Sequence, residues 1–256
     1  MKEPFEKPKA HRPVLTENDT FSFLCHSRVS CFTTCCRNTD MYLYPYDIVR
    51  LKTRLGISSE AFLEKHTTVY IRDNPYFPHV MLKMSDSKDK ACPFLQADGC
   101  AVYEDRPFSC RAYPLERAVA RYGDRGGRDV CYFIARHDYC KGHEEKKEWT
   151  VSSWMANQEL ADYNAMNDLW VDIDTLFRSN PWGEKGLESP AVKMAFMACY
   201  NVDKLRTFVF DTSFLTRMTV PQVRIDQIRS NDAALMVFGF DWVRFFLTNS
   251  GPLKKP

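Results

Sequence analysis

"CHSRVSCFTTCC", residues 25–36, places four cysteines in twelve positions, the last two adjacent. Thiols at this density serve a disulfide framework, a catalytic thiol with its partner, or a metal site. A second stretch, "CPFLQADGCAVYEDRPFSC" (92–110), repeats the feature as Cys92-x7-Cys100-x9-Cys110 and runs on into "RAYP". A looser third group is Cys131-x8-Cys140, with His143 close behind it in "CKGH". Nine of the ten cysteines lie between Cys25 and Cys140; Cys199 stands apart in an apolar run.

The rest of the chain argues against disulfides. With 45% hydrophobic and 14% aromatic residues, 256 residues can bury a core without covalent staples. The first twenty residues, "MKEPFEKPKAHRPVLTENDT", are polar and carry three prolines, so they offer no apolar leader. No apolar run reaches the roughly 20 residues that span a bilayer. The expectation is a cytoplasmic protein with no membrane partner, in a compartment that keeps thiols reduced. A bond between the adjacent Cys35 and Cys36 would also strain the peptide that joins them. A net charge of +2, with only Lys254–Lys255 as a basic end, predicts no nucleic-acid partner.

Metal binding is the reading that remains. Thiolates are soft ligands for zinc and for iron–sulfur clusters, and either lowers the thiol pKa enough to bind the deprotonated form. Short spacing lets one loop present several sulfurs, and a distant group then closes the site. Among zinc-type C-x2–4-C steps, only Cys31 with Cys35 or Cys36 fits. Ferredoxin spacings do not. The C-x3-C-x2-C loop of radical chemistry on S-adenosylmethionine is excluded, because Cys36 comes directly after Cys35. The spacing therefore leaves zinc and a [4Fe–4S] cluster both open, and either two centres or some spare thiols. Four thiolates around either centre leave a net charge of about −2. Arg37, Arg106 and Arg111 flank the cysteines, placed to offset that charge or to make ordinary ion pairs. Cys199 reads as a packing residue, and Cys131, in a strand-like run, as packing or ligand.

Around the cysteines the chain reads as α+β. "PYDIVRLKTRLG" predicts a helix stopped at Gly56, and "ISSEAFLEKH" a second one capped by Ser58 or Ser59. "TTVYIR" and "HVMLKM" read as strands around the turn "DNPYFP", and "VCYFIA" as another strand. "RYGDRGGRDV" reads as a turn. Beyond residue 145 the pattern is helical. One helix is expected from Trp154 to Phe177, one in "SPAVKMAFMACYNV" capped by Ser189, and one in "DKLRTFVFDTSFLTRM". A last helix is capped by Ser230 or Asn231 and stopped at Gly251, with Phe238, Trp242, Phe245 and Phe246 as a core stripe. The expected organisation is a small mixed cysteine-rich domain at 21–145, then a mainly α-helical part at 146–256 packed on it.

These residues resemble a cysteine-cluster family whose domain is described as zinc- or iron-chelating and which includes the flagellin lysine methylases. The family pattern is a cysteine run ending in an adjacent pair, a "C-x-F-L" element, and "C-x-x-Y-x-x-R-P-x-x-C-R-x-[FY]-P". Tyr103, Arg106, Pro107, Arg111 and Pro114 all fall in place in the last of these. The resemblance implies Cys25, Cys31, Cys35, Cys36, Cys92, Cys100 and Cys110 as metal ligands, with Cys140 as the eighth, and an iron–sulfur centre ahead of zinc. The first group is stretched, with five residues between its first two cysteines where the family often has two. The resemblance covers about residues 21–145, so methylase activity does not carry over to the helical part.

Activity stays open at this level. The chain has no G-x-G-x-x-G, no phosphate-cradling loop, no serine elbow and no zinc-protease motif. Of His66, His79, His137 and His143, only His143 gains from its position near Cys140. One expectation is a metal-binding protein with a structural or redox centre, whose helical part docks a protein partner or substrate. The other is an S-adenosylmethionine-dependent protein lysine methyltransferase.

Overall fold

The computed structural model describes residues 13–122 and 127–256. The tip of the expected turn in "RYGDRGGRDV", at 123–126, lies outside the described residues. In chain order the first elements are β1 (Thr20–Ser22), α1 (Pro45–Leu55), α2 (Ser59–His66), β2 (Thr67–Tyr70), β3 (His79–Leu82), β4 (Leu95–Gln96), β5 (Gly99–Cys100) and α3 (Phe108–Ala112). Then come β6 (Leu115–Tyr122), β7 (Gly127–Ile134), β8 (Glu148–Thr150), α4 (Val151–Asn157), α5 (Leu160–Arg178) and α6 (Pro190–Tyr200). The chain closes with α7 (Val202–Phe210), α8 (Gln222–Ser230) and α9 (Asp232–Thr248). The fold is α+β: the strands form two-stranded antiparallel sheets, and helices dominate the C-terminal part. No helix among the described residues is long and apolar enough to cross a membrane.

Packing divides the chain into two compact units that interleave in sequence, 1–35 with 110–160 and 36–109 with 161–256. The chain therefore passes between them at Cys35–Cys36, Ser109–Cys110 and Leu160–Ala161. The first unit is small. Its β6–β7 hairpin, paired from Leu115↔Ile134 to Tyr122↔Gly127, and its β1–β8 ribbon enclose Phe23, Leu115, Tyr132, Val151 and Trp154. Aromatic edges fill the space, with Phe23 against Trp154 at 5.6 Å and against Tyr113 at 5.6 Å. The indole N–H groups do not go unpaired. Trp154 donates to the Ala112 carbonyl, and Trp149 to that of Phe23, both at 2.9 Å.

The second unit holds the larger core. Helix α1 starts at Pro45, where the missing N–H costs nothing, and Asp47 turns back to accept the Tyr44 N–H at 2.8 Å. It ends on Gly56 at φ 64, a left-handed cap that favours glycine. Ser58 caps α2 by accepting the Ala61 N–H, and β2 begins at once to pair with β3 from Thr67↔Leu82 to Tyr70↔His79. Ser189 caps α6 and Asn231 caps α9, as their sequences predict. Phe238 and Trp242 of the aromatic stripe are buried, and Phe245 and Phe246 pack against the same core.

Three helical expectations are corrected. The run from Trp154 to Phe177 is two helices, because Glu159 takes a left-handed φ of 51 and the chain leaves one packing unit for the other just beyond it. Buried Arg111 takes up part of the consequence, donating from Nη1 to the Gln158 carbonyl at 2.8 Å. The run from Asp203 to Met218 stops at Phe210. There the Thr212 hydroxyl bonds back to the Phe208 carbonyl and accepts the Phe214 N–H, a side-chain turn that competes with the helix. Helix α9 ends at Asn249, at φ 52, before Gly251 is reached. Helix α8 and strand β6 were not expected: α8 is polar and weakly periodic, and β6 mixes apolar and charged residues without regular alternation.

One half-buried ionic network ties five helices of the second unit. Lys52 on α1 is 8% exposed, and its ammonium lies 3.0 Å from Asp203 of α7 and 2.7 Å from Asp232 of α9. Asp203 also accepts the Ser59 N–H at 2.6 Å and the Ser59 hydroxyl at 2.9 Å, bringing in the start of α2. Arg206 closes the network onto Asp232 and onto the Ile228 carbonyl. Desolvation opposes the Asp203 charge, but the Ser59 amide and Lys52 outweigh it and hold the carboxyl below its ordinary pKa. A depressed carboxylate stabilises the fold above the unfolded pKa of about 3.9, and that contribution is lost as pH falls through the folded value. Lys52→Met removes one partner from each carboxylate, leaving Asp203 to Ser59 and Asp232 to Arg206, and is expected to cost about 1–2 kcal/mol in urea unfolding at pH 7. The deficit relative to the parent protein should shrink as the pH falls through the depressed pKa of Asp203, where that carboxylate takes up its proton.

Candidate metal centre

The dodecapeptide 25–36 is a chain of tight turns. The Val29 N–H bonds the His26 carbonyl, Phe32 bonds Val29, and Thr34 bonds Cys31. Thr33 sits at φ 63, a left-handed conformation that a β-branched residue adopts only under strain, of order 1–2 kcal/mol. The strained residue lies between Cys31 and Cys35, within the same run of turns.

In the first unit this loop meets the "CKGH" segment. The Lys141 backbone N–H donates to Sγ of Cys31 at 3.1 Å, and the Leu24 N–H donates to the Gly142 carbonyl at 3.0 Å. Glycine is required at 142 for space. A Cβ there would stand 2.6 Å from the Phe23 ring and 2.9 Å from the Leu24 carbonyl oxygen. Tyr113, from "CRAYP", lies beside the same segment. Its hydroxyl lies 3.2 Å from Nε2 of His143, and Tyr113 and Cys140 pack against the same small core around Phe23. Burial first, then Cys140, push the Tyr113 phenol well above its ordinary pKa. Burial, with Arg136 nearby, holds His143 below its own. The Lys141 amide thus joins Cys31 to the segment that carries Cys140. Cys25 comes directly after Phe23–Leu24, and Cys110 lies on α3; both are exposed.

In the second unit the backbone gathers the other three. Residues 36–38 and 90–92 form a short antiparallel ladder, in which the Cys92 N–H donates to the Cys36 carbonyl at 2.8 Å and the Asn38 N–H to that of Lys90. "CPFL" turns so that the Leu95 N–H bonds the Cys92 carbonyl, and the β4–β5 hairpin then pairs Leu95 with Cys100. Cys92 and Cys100 pack against the apolar core of this unit. Asp47 fixes the start of α3, because its second oxygen accepts the Phe108 N–H at 2.8 Å.

The flanking arginines have distinct surroundings. Arg37 forms an exposed ion pair with Asp89 at 3.0 Å. Arg106 is nearly buried, with its guanidinium 3.9 Å over the Tyr103 ring and Nη1 on the Tyr103 carbonyl at 2.6 Å. Arg111 is 3% exposed and lies 3.5 Å from Glu159.

All ten cysteines are thiols. Cys199 is fully buried in the core, and burial raises its pKa well above the ordinary value, as its packing role requires. Cys131 is half-buried on β7, opposite Ala118. The eight cysteines that the sequence singles out as ligands are half-buried or exposed. Among the described residues no three Cys, His, Asp or Glu side chains form one metal-binding group. The donor chemistry nonetheless fits a soft metal ion: sulfur donors on hydrogen-bonded loops, with an amide N–H already directed at one of them. Tyr113 and Gly142 are the residues that sequence reasoning passed over. Their signals were the aromatic before Pro114 and the glycine in "CKGH".

A family model, CxxCxxCC, described as "Putative zinc- or iron-chelating domain", matches residues 24–167, more than half of the chain. No curated protein and no solved structure matches the chain. Gly142→Ala tests the close approach on which the first thiol group depends. The clash with the Leu24 carbonyl is expected to cost about 1–3 kcal/mol in chemical unfolding. An unchanged unfolding midpoint would show that the segment has room to spare.

Proposed function

Because the chain belongs to the zinc- or iron-chelating cysteine-cluster family, we propose that it is a cytoplasmic metal-binding protein. Its cysteine-bearing region, 21–145, holds a [4Fe–4S] cluster, or zinc as the second choice, in a structural or redox role. The ligands are drawn from Cys25, Cys31, Cys35, Cys36, Cys92, Cys100, Cys110 and Cys140. The observation that carries this reading is the Lys141 amide on Sγ of Cys31, which joins the first cysteine group to the segment of the last. Backbone N–H groups that donate to sulfur are a common means of orienting metal-binding cysteines.

When bound, an iron–sulfur cluster supplies one-electron exchange, and zinc supplies a redox-inert cross-link. The chain's own residues prepare for either. The turns of 25–36 and the 36–38/90–92 ladder present sulfurs from segments far apart in sequence. Apolar packing at Cys92, Cys100 and Cys140 limits the access of water. Arg37, Arg106 and Arg111 place positive charge in the same segments, where several thiolates need it.

The test is anaerobic purification, then iron, zinc and acid-labile sulfide analysis with a visible spectrum. Iron and sulfide in equal amounts are expected. A colourless protein with stoichiometric zinc and no sulfide would end the preference for a cluster, and a protein with neither metal would end the reading. Cys35→Ser and Cys110→Ser are each expected to release metal, while Cys199→Ala retains it. Full metal content in both serine variants would refute their role as ligands.

A further inference from the structure

We infer that the outer edge of strand β2 is a self-association surface, on which a second copy of this chain pairs its own β2 antiparallel about a two-fold axis at Val69. The inference is independent of the metal reading, because it rests on the backbone of the second unit alone.

The hydrogen bonds of the sheet fix which groups face outwards. The Lys83 N–H donates to the His66 carbonyl at 2.8 Å, so residues 66, 68 and 70 turn their main-chain groups towards 83, 81 and 79. On β3 the alternate residues serve the other side: the Leu82 N–H donates to the Met41 carbonyl, and the Val80 carbonyl accepts the Leu43 N–H. Strand β3 is therefore covered along both edges. By the same alternation the N–H and C=O of Val69 point away from the sheet, and among the described residues no further strand covers them.

The side chains along this edge are apolar and open. Val69, Tyr70 and Ile71 are 51%, 52% and 45% exposed, three in succession. Lysine, proline and bulges are the usual guards of an open edge. Residues 67–71 contain neither lysine nor proline, and the pairing with β3 runs without a bulge.

A second copy fits this edge in hydrogen bonding, packing and charge. Antiparallel pairing about Val69 sets it against Val69 of the second copy, Thr67 against Ile71, and Thr68 against Tyr70. The Val69 pair exchanges N–H and C=O in both directions, and each Ile71 N–H reaches a Thr67 carbonyl across the axis. On one face Val69 and Ile71 of both copies make a continuous apolar strip; on the other, each Tyr70 lies over a Thr68 methyl group. Lys65, exposed at the end of α2, comes beside the exposed Asp73 of the second copy, twice by symmetry. His66 comes opposite Arg72, but burial and the neighbouring Lys65 disfavour its charge, and Arg72 already pairs with Asp40 at 3.1 Å. The patch is small, so the dimer is a weak one that forms as concentration rises.

The experiment is sedimentation velocity on the full chain from low micromolar to near-millimolar concentration, with reductant present to prevent thiol cross-links. The parent is expected to shift from monomer towards dimer across that range. Val69→Pro removes the outward N–H and spares the β2–β3 bonds, which use the neighbouring residues. It is expected to raise the dissociation constant about tenfold or more, with an unchanged circular dichroism spectrum. Ile71→Lys keeps every N–H but puts charge on the apolar strip; it is expected to act alike, and it replaces the proline variant should that fail to fold. Lys65→Asp and Asp73→Lys should each weaken the dimer, and the two together should restore it. A parent that stays monomeric throughout would overturn the inference, as would dimers that survive both Val69→Pro and Ile71→Lys. A double swap without recovery would overturn the two-fold pairing. A monomer that instead binds an extended peptide of unrelated sequence would give the edge to another partner, and the inference would fall with it.

Discussion

The absence of a side chain at residue 142 is the constraint on which the first unit's arrangement of thiols depends. A methyl group there would press on the Leu24 carbonyl and on the Phe23 ring. Without it, "CKGH" lies flat on the segment that leads into "CHSRVSC", and Leu24 and Gly142 share a backbone hydrogen bond. Everything nearby depends on that approach. The Lys141 amide reaches Cys31, Cys140 packs on the same small core as Tyr113, and His143 reaches the phenol oxygen. Phe23, buried at the same contact, anchors the aromatic cluster that holds these parts in place.

The second unit reaches a similar end by another route. Its cysteines are placed by main-chain ladders: Cys36 against Cys92, then Cys92 and Cys100 through a two-residue hairpin. Thiols are weak hydrogen-bonding groups, so their own side chains contribute little to positioning. Placement has to come from the backbone and from apolar packing, and it does so in both units. The helices of the second unit are in turn locked by the Lys52, Asp203 and Asp232 network.

The fold is legible in the sequence wherever its signal is local. Helices α1, α2 and α6 carry caps, prolines or stop residues within a few positions, α9 carries its N-terminal cap, and the β2–β3 pair is rich in β-branched and apolar residues. All of these can be read directly. The break at Gln158–Glu159 cannot, because nothing in that segment forbids helix. Its cause is the passage between packing units, with Arg111 taking the released carbonyl. The cysteines are legible as a pattern, and Cys199 as an exception by its apolar setting. Tyr113, Gly142 and the Lys141 amide are not, because their significance exists only once segments 110 residues apart along the chain have met.

The central claim is that cysteine sulfur, and not nitrogen or oxygen, holds a metal in this protein. X-ray absorption at the metal edge of anaerobically purified protein tests it most directly. The account predicts a first shell of sulfur alone at about 2.3 Å. A shell of nitrogen or oxygen at about 2.0–2.2 Å without sulfur would contradict it.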